Sequence, residues 1–238
     1  MNGKAIIKFL VVIAAIIGLF AYFIQPLAGS LKQGLDLQGG THIVLEAEDS
    51  ATGTADNDAV ERAKQILERR INEMGLSEPL VQREGARRII IELPGVKDPD
   101  EAIKRIGKTA VLEFKNDQGQ TVMTGDDLKD AKEELGQNKQ PLVAIELSDE
   151  GAKKFADLTS KNIGRRIAIT LDGKELTNPV VQQAITGGKA TISGSQSLEE
   201  AKDLAILLRS GALPVKINVL EVRTVGPTLG QDSKDKSV

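Results

Sequence analysis

The stretch Gly34-Leu35-Asp36-Leu37-Gln38-Gly39-Gly40-Thr41-His42-Ile43-Val44-Leu45-Glu46 decides how the rest of the chain is read. After Gly39-Gly40 it alternates, with Thr41, Ile43 and Leu45 on one face and His42, Val44 and Glu46 on the other. That is the period of a half-buried strand. The paired glycines suit a bulge or a close backbone approach. Glycine-rich turns also cradle phosphates, but that chemistry needs a helix directly after the turn, and here a β-patterned run follows. Asp36 reads as a carboxylate that hydrogen-bonds at a turn or strand end rather than as a metal ligand.

Just before this stretch, residues 9–24 form an uninterrupted apolar run, and counting residues 5–25 it reaches the roughly 20 residues that span a bilayer. Lys4 and Lys8 precede it and the next charge is Lys32, so the positive-inside bias places the N-terminus in the cytoplasm and the remainder outside. The run exceeds a signal-peptide core and lacks a small-x-small cleavage pattern, so an uncleaved anchor is expected.

The 238 residues allow one large or two small domains. With no cysteine, disulfides, zinc–thiolate sites and thiol nucleophiles are excluded. Removing Lys4 and Lys8 from the 31 basic residues leaves 29 against 34 acidic ones, a mildly acidic surface that argues against nucleic acid. Phe114 and Phe155 are the only aromatics beyond the apolar run, which leaves no platform for stacking bases or sugars.

Beyond the opening strand, Asp58-Ala59-Val60-Glu61 resembles a capping box, followed by Val60, Ala63, Leu67, Ile71 and Met74 at helical spacing up to Gly75. Residues 80–82 and 88–93 read as strands, ended by Pro94-Gly95. Asp98-Pro99-Asp100-Glu101 starts a short helix that stops at Gly107, and 109–115 is the next strand. After the turn signal Asn116-Asp117-Gln118-Gly119 we expect a strand at 121–123, a short helical piece at 126–135 and a strand at 142–147. A helix opened by Ser148 follows, then a two-residue hairpin around Asp172-Gly173. A strand at 190–193 comes next, then a helix capped by Ser197-Leu198-Glu199-Glu200 with Leu198, Ala201, Leu204, Ala205 and Leu208 inward. A last strand covers 215–225.

The pattern G-L-D-L-x-G-G-x-x-x-x-L-E resembles the signature opening the first extracytoplasmic (P1) domain of the SecD family, accessory membrane subunits of bacterial protein export. Glu78-Pro79, Glu92-Leu93-Pro94-Gly95 and Val111-Leu112-Glu113-Phe114 resemble that family in the same order. So do the run from Leu207 through Arg209 and Gly211 to Leu213 and the run from Glu221 through Gly226 and Pro227 to Gly230. The resemblance implies an α+β protein: a transmembrane helix at 5–25, then a ferredoxin-like, antiparallel-sheet base at 31–115 and 189–230. An α+β head is inserted at 116–188, and a tail at 231–238 precedes a second membrane helix that family members carry. Gly34, Asp36, Gly39, Gly40, Pro94, Gly95, Glu113, Arg209, Gly211, Gly226 and Pro227 are then structural motif residues, with preprotein contacts somewhere within 116–188. It also implies SecF, the SecYEG translocon and preprotein substrates as partners, a head that swings on its base, and, in complete members, coupling to the proton gradient through ionisable groups in later membrane helices. No proton-relay residue is assigned in this sequence, which reads as a fragment or truncated product.

Enzymatic chemistry is not expected. His42 is the sole histidine, so neither a Ser-His-Asp arrangement nor a histidine metal pair fits, and no cofactor is implied. Asp56-Asn57-Asp58 and Asp126-Asp127 read as helix starts, since neither has the glycine and distal glutamate of a calcium loop. The alternative reading is a membrane-anchored adaptor that recruits another envelope component without handling substrate; an extracytoplasmic hydrolase comes third.

Overall fold

The computed structural model describes residue 13 and residues 39–50, 53–76, 79–96 and 98–226. The expected span at 5–25, the tail at 231–238, and Gly34, Asp36 and Pro227 lie outside the described residues, apart from Ile13 within the span. Among the described residues no helix is long and apolar enough to cross a membrane.

The described chain folds around two hydrophobic cores. The first is built on a four-stranded sheet of order β11-β1-β3-β2, with β1 Gly40–Glu48, β2 Leu80–Glu84, β3 Arg88–Pro94 and β11 Lys216–Val225. Every neighbouring pair is antiparallel. Thr41, Ile43 and Leu45 point inward and register on Leu93, Ile91 and Ile89 of β3, as the alternation in the opening stretch requires, and Ala47 continues the buried face opposite Ile217 of β11. Helices α1 (Asn57–Glu73) and α2 (Pro99–Ile106) cover that face through Val60, Ala63, Leu67, Ile71, Ala102 and Ile106. In chain order this lobe is β-α-β-β-α-β with a long insertion before its last strand.

The insertion makes the second core. One sheet has the order β5-β4-β8-β9 (β4 Leu112–Lys115, β5 Thr121–Thr124, β8 Ala168–Leu171, β9 Lys174–Thr177). The other has the order β10-β7-β6 (β6 Leu128–Leu135, β7 Pro141–Leu147, β10 Lys189–Ser193). Helices α3 (Asp149–Lys161) and α4 (Leu198–Ser210) complete it. Phe114 and Phe155 meet edge to face at its centre, ring centroids 6.0 Å apart.

Several expectations are corrected. The first helix is capped by Asp56, whose carboxylate accepts from Ala59 N at 2.7 Å, so Asp58 lies inside the first turn. The helical piece at 126–135 is a single 3-10 turn, Gly125–Asp127, followed by strand β6. Asp127 ends the turn: its carboxylate accepts from Thr124 N and Lys154, and its carbonyl accepts from Ser148 N. The strand then pairs with β7, so sheet pairing overrides the helix propensity of its Lys, Ala and Glu residues. The strand expected at 109–115 begins only at Leu112, because Ala110 takes a left-handed φ of 60°. Leu198 is 46% exposed, not inward.

The expected division at 116–188 also differs from how the sheets are built. β4, placed in the base by sequence, pairs with β5 and β8, and β10, placed in the resumed base, pairs with β7. Ala201, Leu204, Ala205 and Leu208 of α4 join the second core as well. Asn116-Asp117-Gln118-Gly119 is a turn inside a hairpin rather than a passage between lobes; a turn signal alone does not distinguish the two.

Candidate functional site

The chain passes between the cores twice, outward after α2 and back after α4, and the two passages touch: Leu213 N donates to Thr109 O at 2.8 Å. Arg70 and Asp172 grip this neck. Arg70, in the last turn of α1, is fully buried. Its guanidinium donates to Ile106 O (2.6 Å), Lys108 O, Thr109 O (3.5 Å), Gly211 O (2.8 Å) and Ser210 Oγ (3.2 Å). These acceptors lie at or just beyond the C-terminal ends of α2 and α4, where unsatisfied carbonyls and the helix dipole favour a cation. Among the described residues no carboxylate forms a hydrogen bond or ion pair with Arg70. Burial pushes it down to about 10, opposed by the charge of Asp172, which leaves it cationic at neutral pH.

Asp172 approaches from the second lobe. It opens the two-residue turn between β8 and β9, with φ of 50° at Asp172 and 76° at Gly173, the primed turn that an Asp-Gly pair favours. Its carboxylate accepts from Ala110 N at 3.1 Å and Val111 N at 2.9 Å, which fixes the left-handed bend at Ala110. Gly107-Lys108-Thr109 looks like the tail of a phosphate-binding loop, but it follows a helix instead of opening one, and Lys108 and Thr109 turn their carbonyls toward Arg70.

Two ion pairs flank the neck, both on α4. Arg209 donates to Glu73 of α1 (Nε–Oε2 3.0 Å) and to Ala131 O of β6 (2.7 Å). The bond to Glu73 raises the already high basicity of Arg209. Asp203 accepts from Arg105 of α2.

Beyond the neck the second lobe carries a cleft of about 780 Å³. Ile145, Phe155, Ile167, Ile169, Val181 and Ile185 supply apolar walls, and Asp130, Lys132, Glu134, Glu146 and Lys189 contribute charges of both signs. The segment closing one side is tied to α3 by Ile185 N donating to Thr159 Oγ1 at 3.0 Å.

The residues singled out by sequence fall in three places. Gly39, Gly40, Pro94, Gly95 and Gly226 meet at one end of the first sheet: Gly40 pairs with Pro94 and Val225, and Gly95 N donates to Gly39 O at 3.0 Å. Gly39 and Gly95 have φ of 67° and 72°, which a side chain disfavours. Entry and exit of the described domain therefore lie side by side. Arg209 and Gly211 lie at the neck, and Glu113 lies within the second lobe. Thr121 and Lys115, with Thr170, hold the Glu113 carboxyl below the ordinary glutamate range. His42 lies 3.4 Å from Glu92 on the open face of the first sheet. Among the described residues no group of three or more His, Asp or Glu side chains could hold a metal ion. Sequence reading missed Arg70 and Asp172. Arg70 had a signal, a charge on the apolar stripe three residues after Leu67; Asp172 was read only as turn chemistry.

Fold and neck together define a class: an α+β module with antiparallel sheets, in which an insertion with its own core is mounted on a helix-covered sheet. Three family models match it: "SecD/SecF GG Motif" over residues 31–51, "Protein translocase subunit SecDF, P1 domain, N-terminal" over 60–119, and "SecDF, P1 head subdomain" over 103–215. The chain is 58% identical over 238 residues to the protein translocase subunit SecD of Acidaminococcus fermentans, spanning all of this chain and 57% of the relative. It is 33% identical to that of Desulfurispirillum indicum, spanning all of this chain and 69% of the relative. Against a solved structure of SecDF in a super-membrane-facing form the TM-score is 0.74 at 43% identity, over 86% of this chain and 33% of that one. Against a structure from work on "a membrane component SecDF that enhances protein export" it is 0.70 at 40% identity, over 76% of this chain and 99% of that one. The chain belongs to the SecD/SecDF family of protein translocase subunits. It spans a little over half the length of the A. fermentans relative.

Proposed function

We propose that this chain is the membrane-anchored, extracytoplasmic part of an accessory protein-export subunit, and that its second lobe receives unfolded segments of exported polypeptides. What carries the reading is the cleft: about 780 Å³, apolar-walled, and set in an inserted lobe that reaches its mount through one neck. An unfolded chain in transit has to be held without being trapped, which suits a modest apolar groove with a charged rim. The head in this reading spans the second core, 112–208, and the base is the first core. The adjacent entry and exit at Gly39–Gly40 and Gly226 fit a base carried by membrane segments on one side. The partners would be SecF, the SecYEG translocon and the preprotein, with energy from the proton gradient drawn through the rest of a complete subunit. No bond-making chemistry is assigned to any residue here.

A photo-crosslinking amino acid at Ile163 or Val180, 55% and 47% exposed beside the cleft, tests it in a complete subunit during export of a stalled secreted chain. Crosslinks to that chain are expected. Crosslinks only to folded envelope proteins would replace this reading with the adaptor.

A further inference from the structure

We infer that the cleft takes an exported polypeptide as an added strand: an extended segment pairs through its main chain with the free edge of β10. The inference rests on the reading above, in which this lobe receives unfolded segments, and it names how they are recognised.

In the order β10-β7-β6 both outer strands are edges, and they are finished differently. On β6 the outward groups of Ala131 are occupied, N donating to Asp130 Oδ1 at 2.8 Å and O accepting from Arg209 at 2.7 Å. That strand also carries Lys129, Asp130, Lys132, Glu133 and Glu134, charges that keep a further strand away. On β10 the only charge is Lys189. Leu147 N donates to Gly188 O at 2.8 Å and the register continues unbroken from there, so Ala190 and Ile192 turn their main-chain groups toward β7. Lys189 and Thr191 therefore turn N–H and C=O outward, and among the described residues no protein group hydrogen-bonds them. Both residues line the cleft.

The opposite wall has the same character. Ile167 N donates to Pro179 O at 3.1 Å and Val181 N to Arg165 O at 2.9 Å, a pattern that leaves the N–H and C=O of Val180 pointing away from that pairing. The two walls meet past the end of β10, where the Thr177 and Ser193 hydroxyls lie 3.5 Å apart and a Cβ on Gly194 would come within 2.8 Å of Leu176 O. Lys189 to Thr191 and Pro179 to Val181 line the gap between them. β10 is five residues long, about 17 Å at the rise of a strand. Main-chain pairing is blind to side-chain identity, which suits a site that meets many sequences. Alternate side chains of the added strand would face Phe155, Ile167 and Ile169, so the favoured segments are apolar at every second position.

A short fluorescent peptide alternating valine and lysine is titrated into the full chain in nanodiscs and followed by anisotropy. Thr191→Pro removes an outward N–H at a position where an edge strand tolerates proline, and is expected to weaken binding about tenfold. Thr191→Val keeps that N–H and is expected to bind within about twofold of the parent. Residue-resolved hydrogen exchange on the parent gives a reading that does not depend on how either variant folds. The Lys189 and Thr191 amides are expected to exchange fast in the free chain and to become protected at saturating peptide. Binding that leaves both amides unprotected overturns strand addition while the receiving role of the lobe stands, and so does undiminished binding by a folded Thr191→Pro chain. If neither this peptide nor the stalled secreted chain engages the lobe, the substrate reading falls and the added strand falls with it.

Discussion

The two cores use different materials. The first is wholly aliphatic, an antiparallel sheet whose inner face is sealed by α1 and α2, and its largest buried side chains are isoleucines and leucines apart from Arg70. The second packs Phe114, Met123 and Phe155 between two smaller sheets and two helices, and has a large cleft. In the first lobe one sheet lies under two helices, whereas in the second two sheets share two helices and leave a cleft lined from β6, β7, β8, β10 and α3. The comparison teaches that a sheet packed under its helices carries a lobe that holds a cleft, and that the neck has to join them without filling that cleft.

The hardest test of that division is Arg70→Met. It leaves five acceptors at the neck without their donor and should cost on the order of 3–5 kcal/mol in urea unfolding, with both lobes affected. An effect confined to one lobe would mean the neck does not join the cores. Phe155→Ala comes next, at about 3–4 kcal/mol from lost burial and the lost edge-to-face contact. Native-state hydrogen exchange should then rise across β4, β7 and β8 while Ile43, Leu45, Ile89 and Ile91 stay protected. Equal loss in both lobes would make them a single cooperative unit.

Gly95→Ala probes the mount alone. An added Cβ meets nothing within 4 Å, so the expected loss of about 1 kcal/mol comes only from the left-handed backbone. The smallest effect is acid sensitivity of the second lobe. Glu113 is held below its usual value of 4.5 by Thr121 and Lys115, so its contribution is complete above pH 4.5 and declines as pH falls through the lowered folded value. Thermal melts of the parent should show a shallow fall in Tm below pH 4.5 that Glu113→Gln reduces.

Much of the mount was legible in sequence because its signals are local. Alternation from Thr41 to Leu45 gave the inner face of β1, and Asp98-Pro99 with Gly107 bracketed α2. Ser197 capped α4 as expected, although Glu200 reaches back to Gln196 N rather than to the cap residue itself. The Asp172-Gly173 hairpin was legible for the same reason, and its role as a clamp on Ala110 and Val111 was not, because those partners lie about sixty residues away. β6 misled because its charged residues favour helix and only Ala131 is deeply buried, so the decisive force is its pairing with β7.

The sequence by itself determined the periods, caps and turns, the family motifs, and the absence of cysteine and of a second histidine, since each is a property of neighbours along the chain. Which strands share a sheet, that β4, β10 and α4 belong to the second core, and that one arginine among seventeen-residue α1 is buried against both passages, were decided only in three dimensions. The carbonyls of residues 106, 108, 109 and 211 have no reason to converge on Arg70 until the insertion has folded and returned. A buried cation is tolerable only once they do.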